Sequence, residues 1–375
     1  MPALINSALI VGGGFSGLCA GIQLLKAGVD VEIAEINPEW RADGAGLTVS
    51  GPSLRALDAV GVLDRFFEHG ATTKELRLHT ATGFNFQTIP FPPVPRTRID
   101  GTGGIMRPVL CQILADKFLE LGGRGRLGTT FKEITDRGDG VDVTFDNGDS
   151  GSYDLLIGAD GVFSKIRNML FADAPPPSYS GQVVWRAVIP RFGVETAEQY
   201  IGRNSKVGFS PVSDEQSYMY FTEKRDDLSR LPEEQLLPTL KELMAEYTAP
   251  IVVKIREALN EDSQIIYRPL EGMMLPRPWY KGRIILIGDA VHATTPHLAS
   301  GAGMGFEDGV VIAEELCKEG SVGAALERYQ NRRWARCNLV VSHSKRLGDI
   351  EIVGFPIEEH AQIMAISTAA LMAPI

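Results

Sequence analysis

Apolar and polar positions follow two periods along this chain, one of strands and one of helices. Ala8 to Val11 is a continuous apolar run that stops at Gly12-Gly13-Gly14. From Ser16 to Ala27 the apolar positions fall at helical spacing, with Leu18, Ile22 and Leu25 along one face, and Gly28 closes the segment. Val29 to Ile33 is a second apolar run. Together these predict a β-turn-α-β unit of the length a dinucleotide fold uses. Further on, the spacing predicts helices over 53–67 and 107–121, the second entered through Pro108, which suits a first turn. Residues 75–91 alternate in a looser, strand-like way. A hairpin turning at Asn147-Gly148 returns into a further apolar run, Leu155 to Ile157. Past a boundary-like "DAPPPSYSG", three alternating segments predict an antiparallel sheet with one face available: Val183–Ile189, Lys206–Ser210 and Tyr218–Thr222. Residues 232–259 read as helical, strand character returns at Ile265–Tyr267 and Ile284–Ile287, and the chain from Glu307 onward is mostly helical. The expected architecture is α/β: a dinucleotide fold interrupted by a sheet domain and completed late in the chain.

Composition narrows the function classes. At 375 residues the chain is comfortable for two domains. A net charge of -10 argues against a broad nucleic-acid or anionic-membrane surface. Cys19, Cys111, Cys317 and Cys337 are far apart and form no CxxC pair, so a zinc site or disulfide framework is not expected and a reducing cytoplasm fits. No basic stretch precedes the first apolar run, as a signal peptide requires, and no apolar run is long enough to span a bilayer.

Three strand ends carry the candidate chemistry. Gly12-x-Gly14-x-x-Gly17 has a strand before it and a helix after it. Gly12 permits the tight turn, Gly14 lets the backbone approach a pyrophosphate, and Gly17 lets the helix pack on the strand. Glu35 ends the second strand, where an acid accepts hydrogen bonds from a ribose diol. This motif alone does not separate NAD from FAD. Asp160-Gly161 ends a later strand and is followed by Ser164, Lys165 and Arg167. Gly288-Asp289 ends another and is followed by glycines at 301, 303 and 305 and the acidic pair Glu307-Asp308. One such dipeptide is usually a turn; three in one chain ask for a shared purpose.

With these three sites the chain resembles the single-component FAD-dependent aromatic hydroxylases of the para-hydroxybenzoate, salicylate and urate hydroxylase type, whose fingerprints are a GxGxxG, a DG and a GD site in this order. The resemblance covers essentially the whole chain. It implies a Rossmann-like FAD-binding domain of the glutathione-reductase-2 type over 1–72, 98–174 and 268–345. An inserted antiparallel substrate sheet would take 73–97 and 175–267, and a helical segment 346–375. Around FAD it implies Gly12, Gly14, Phe15, Ser16 and Gly17 at the pyrophosphate, and Glu35 at the adenosine ribose. Arg107 and Arg41 would sit near the pyrophosphate or ribityl chain, and the backbone of Phe131 at the adenine. Gly46 and Leu47 would lie beside the flavin, Asp289 on the ribityl hydroxyls, and Pro296 over the face where oxygen reacts. Gly301, Ala302, Gly303 and Met304 would lie along the flavin pyrimidine and phosphate. Asp160 is expected to act indirectly.

The implied reaction passes a hydride from NAD(P)H to FAD. Oxygen then adds to give a C4a-hydroperoxide that an electron-rich ring attacks, so the protein supplies orientation and dryness rather than a nucleophile. Tyr218, Arg186 and Lys206 are the catalytic candidates, with Tyr218 partnering a ring hydroxyl; Phe209, Tyr220, Pro296 and His297 are the pocket candidates. The competing reading of the aromatics is ordinary sheet packing. Pro296 interrupts His292 and His297, and no acidic or Cys ligand accompanies them, so no metal is expected. Alternatives stay open. "WRAVIP" resembles a flavin halogenase segment but has Ala187 in place of its second Trp. Epoxidation, a two-component enzyme with a reductase partner, and a non-catalytic flavin protein also share the scaffold. Expected partners are a small aromatic compound, O2 and NAD(P)H, with the chain a monomer or homodimer.

Overall fold

The computed structural model describes residues 2–40, 44–227, 231–354 and 356–375. Its first layer is a six-stranded sheet in the order Tyr280–Lys281, Ile284–Leu286, Leu155–Gly158, Ser7–Val11, Asp30–Glu35 and Arg124–Leu127. All neighbours are parallel except the outermost pair, Tyr280–Lys281 with Ile284–Leu286. Parallel strands are covered on both faces and therefore read as unbroken apolar runs; every residue of Leu155–Gly158 is buried.

The helix Phe15–Lys26 leaves the first strand through Gly12 at φ 109°. A side chain there would collide with the Ala159 carbonyl, and one at Gly17 with the Gly12 carbonyl. The glycine-rich helix begins at Gly301, not Glu307, and runs to Leu316. It packs directly on the first helix. A Cβ at Gly309 would reach the Ala20 amide at 2.5 Å and the Cys19 side chain at 2.7 Å. Cβ atoms at Gly303 and Gly305 would strike the hydroxyls of Ser53 and Ser16. Gly303 and Gly305 are thus bare toward neighbouring helices.

The second layer is a seven-stranded sheet in the order Ile266–Gly272, Ser178–Pro190, Gln216–Lys224, Ser205–Pro211, Ala197–Ile201, Glu75–Thr80 and Asn85–Pro90. It is antiparallel except where Ala197–Ile201 meets Glu75–Thr80. One face packs on the helices Glu233–Leu243 and Pro250–Ala258 through a second core that includes Trp185, Phe209, Phe221 and Tyr247. The other face is turned toward the dinucleotide fold.

Several expected boundaries move. The helix expected over 53–67 is two, Gly51–Val60 and Leu63–His69, divided at Gly61 with φ 84°. The strand expected at Ile265–Tyr267 continues to Gly272, past the junction placed at 268. The tail expected from 346 starts inside the long helix Val322–Ile352, and a terminal helix, Ile357–Met372, follows. Ala197–Ile201 and a three-stranded sheet of Gly46–Val49, Thr102–Met106 and Ala71–Thr73 were not expected, because glycine and polar residues blur their alternation.

Gly309→Ala tests the close helix contact. Backbone on the facing helix cannot rotate away, so the variant should lose about 1–3 kcal/mol, read as a lower Tm; an unchanged Tm contradicts the packing described.

Candidate active site

Between the two layers lies a cavity of about 630 Å³. On the dinucleotide side it is lined by Gly14, Phe15 and Ser16 at the start of the first helix, by Gly46, Leu47 and Arg107, and by Asp289 and Pro296 to Ala302. The three motifs thus converge, as each ends a parallel strand at the same edge. Gly14 faces open space, with nothing within 4 Å of where its Cβ would stand. The helix dipole and free amides there suit a phosphate. The Arg107 guanidinium lies over the Phe15 ring at 5.1 Å to its centroid. Burial lowers the Arg107 pKa, and nearby Arg186 lowers it further. Asp289 is in the opposite situation: burial pushes its carboxyl up, against the pull of His292 and Arg107. An acid, a cation and bare amides, all bordering the cavity, fit the hydroxyls and pyrophosphate of FAD, and Gly14, Arg107 and Asp289 would hold them.

A buried ion network sets the Gly288-Asp289 turn. Gly288 adopts φ 61° and donates its N–H to Asp308 Oδ2 at 2.8 Å. His292 Nε2 meets the same oxygen at 2.7 Å, and Arg333 Nε donates to Oδ1 at 2.8 Å. Burial favours the neutral acid, yet His292 and Arg333 hold Asp308 down at about 2. Glu307, fully buried, accepts from Arg333 Nη1 at 2.6 Å and from Arg336 Nη2 at 2.7 Å. His292, Asp308 and Cys337 come together, but Arg333 already engages the carboxylate, so a divalent cation would be repelled. His297 points elsewhere, with Nδ1 at 2.9 Å from Thr295 Oγ1.

Other expected cofactor residues lie off the cavity. Glu35 accepts N–H bonds from Gly13 at 2.6 Å and Asn37 at 2.8 Å. Phe131 pairs with Phe145 in a separate small sheet. Asp160 caps the helix Lys165–Leu170, accepting from the Lys165 and Ile166 amides at 2.8 and 3.1 Å, while Ala159 and Gly161 beside it line the cavity. Gly303 and Met304 do not border the cavity; Met304 is buried at 1% exposure. Arg41 lies outside the described residues.

The sheet supplies the facing wall in ordered rows. Gln199, Gly208, Tyr220 and Arg186 stand opposite one another on four adjacent strands. Ser210 pairs with Tyr218, and Lys206 with Thr222 and then Val184. The missing side chain of Gly208 is the place the Tyr220 ring occupies, and Gly46 does the same for Tyr218. Gln199 Nε2 donates to Tyr220 Oη at 3.2 Å. Burial, then Tyr218, pushes the Tyr220 phenol up, so it stays protonated. Phe209 borders the cavity, but its ring belongs to the second core, edge-on to Tyr200 at 6.0 Å. Its parity on the strand differs from that of Lys206, Gly208 and Ser210, so its ring faces the second core while the residue still borders the cavity.

Glu351, from the long helix, was missed. It pairs with Lys206, lies 3.3 Å from His297 Nε2, and accepts from Gln182 Nε2 at 3.2 Å. Burial opposes its charge, but Lys206 and His297 hold it well below the usual carboxylate range. His360 of the terminal helix closes this corner; burial and then Lys206 push its pKa down to about 4.

Fold and site define a flavin-dependent oxidoreductase. Residues 6–344 match the family model described as FAD binding domain, and the chain belongs to that family of FAD-dependent monooxygenases. It is 30% identical to 2-heptyl-3-hydroxy-4(1H)-quinolone synthase of Pseudomonas aeruginosa, over 91% of this chain and 88% of that one. It is 30% identical to aurachin C monooxygenase/isomerase of Stigmatella aurantiaca, over 92% and 89%. The solved structure of Klebsiella pneumoniae HpxO complexed with FAD and uric acid has the same fold, with a TM-score of 0.82 at 24% identity over 98% of this chain and 92% of that one.

Asp289→Ala should give a folded protein that purifies with little FAD, read from the flavin-to-protein absorbance ratio. Full yellow occupancy would refute the assignment of Asp289.

Proposed function

We propose that this monooxygenase hydroxylates a small aromatic or N-heteroaromatic ring with NAD(P)H and O2. The observation that carries the reading is the row Gln199–Gly208–Tyr220–Arg186, which faces the Asp289 and Pro296 side of the cavity. Bound FAD supplies hydride acceptance and oxygen activation. The chain's own residues bind and orient the ring. Because Tyr220 Oη accepts from Gln199, its proton is left to donate to a ring oxygen. Arg186, its cross-strand neighbour, favours the anionic form of that oxygen and so a more nucleophilic ring. Tyr218, packed on Gly46, sets the depth of the ring against the flavin side. Lys206 and His297, both tied to Glu351, close the wall. Quinolone, urate and 3-hydroxybenzoate enzymes among the relatives support a planar ring substrate.

The halogenase alternative loses its anchor. Trp185 lies in the second core, its indole N–H on Glu223 at 3.0 Å, away from the cavity. No helix among the described residues is long and apolar enough to cross a membrane. The four cysteines are free, which supports a reducing, cytoplasmic setting.

The test is a screen of phenols, aromatic acids and N-heteroaromatics for stimulated NAD(P)H oxidation, with product mass spectrometry. A product heavier by one oxygen supports the proposal; a flavin that no NAD(P)H reduces with any ring refutes it. Tyr220→Phe should cut turnover of an active ring by about 10–100-fold, as for a hydrogen bond to a charged group, with FAD still bound. Unchanged turnover would remove Tyr220 from the mechanism.

A further inference from the structure

The terminal helix is a wall of the cavity that neither the motifs nor the sheet account for. It turns one face inward, with His360, Met364, Ser367, Thr368, Leu371 and Met372 at intervals of one helical turn. Its two ends differ in character. His360 abuts the charged corner of Lys206 and Glu351. Leu371 and Met372 end the face in apolar surface.

Leu76 and Phe91, from the far edge of the sheet, line the same cavity. Phe91 is tied to Lys74 through its amide, and Val94 packs against Gly51 at the start of the helix that carries Arg55. Arg55 in turn donates to the Ala373 carbonyl at 2.7 Å. Arg336 donates to the carbonyls of Ala370, Leu371 and Ala373 at 2.9, 2.8 and 3.4 Å, while its other bonds go to buried Glu307. Two arginines thus satisfy the last carbonyls of the helix and hold its apolar end against the cofactor domain. This is a fixed wall joined to the ion network of Asp308 and Arg333. A hydroxylated ring needs polar partners, and the sheet provides them. Met364, Leu371 and Met372 pack on the first core and turn their remaining surface to the cavity. An unbranched apolar chain suits that surface, and methionine adapts its shape to such a guest.

We propose that the terminal helix determines specificity by taking an alkyl substituent of the ring substrate along Met364, Leu371 and Met372. The inference rests on the ring-hydroxylase reading above and adds the substituent to it. The substrate class is then an alkylated phenol or alkylated hydroxy-N-heteroaromatic, with the ring against Tyr218 and Tyr220 and the chain under the terminal helix.

The experiment titrates the oxidised FAD-loaded protein with two series, 4-alkylphenols and 2-alkyl-4-hydroxyquinolines, from the unsubstituted ring to the heptyl compound. Binding is read from the change in flavin absorbance. In at least one series Kd should fall by about fourfold for each methylene buried. Met364→Glu should flatten that dependence. The wild-type series decides the matter if the variant does not fold. Rings that bind with a Kd independent of chain length, or weakened by it, overturn this inference and leave the proposed function standing. A chain-length dependence unchanged in folded Met364→Glu also overturns it. If no ring of either series perturbs the flavin, and none stimulates NAD(P)H oxidation, both readings fall together.

Discussion

Asp308 joins three elements at a point where no water helps. Its carboxylate takes the Gly288 amide and His292 on one oxygen and Arg333 on the other. Removing one partner of such a buried pair costs about 3–5 kcal/mol, because the remaining charge is stranded. That constraint fixes where the strand Ile284–Leu286 ends, how the Gly288-Asp289 turn is aimed, and how the glycine-rich helix sits over the first helix. Arg167 extends it by donating to the Ala290 and Val162 carbonyls at 3.1 and 2.8 Å, which ties the Asp160-Gly161 strand end to the Gly288-Asp289 one. The cofactor end is therefore preorganised by side chains that never need to touch the cofactor.

The substrate end has a parallel arrangement with a different centre. Glu351 reaches from the long helix to Lys206 on the sheet and His297 on the loop after Pro296. Arg333, Arg336 and Glu351 all come from that helix, Val322–Ile352. One rigid element thus braces the cofactor turn, the terminal helix and the substrate wall. Its distribution of charge explains why a helix with so many polar residues is buried along one side: its buried charges, Arg333 and Glu351, face opposite charges.

The parts of this design that local periodicity controls were legible from the residues. The strand–glycine–helix start, the three strand-end motifs and the parity of Tyr218 with Tyr220 all follow from backbone repeats. The helix contacts of Gly303, Gly305 and Gly309 were not legible, because a bare backbone looks the same whether a helix or a ligand approaches it. Glu307-Asp308 read as an acidic helix start, although both are at 0% exposure; Arg333 and Arg336, distant in sequence, together with His292 make that burial tolerable. Glu351 carries no periodic signal in "GDIEIV", and its partners lie on other elements. That the Phe209 ring turns to the second core was legible, since strand parity sends it to the opposite face from Lys206.

The central claim is that two preorganised walls bring a flavin and an aromatic ring together so that one oxygen atom of O2 enters the ring. Turnover under ¹⁸O2, with the product analysed by mass spectrometry, measures this directly. The account predicts one ¹⁸O atom per product molecule, on the ring. Product oxygen drawn from water, or NAD(P)H consumption that yields only peroxide with every ring that binds, would contradict it.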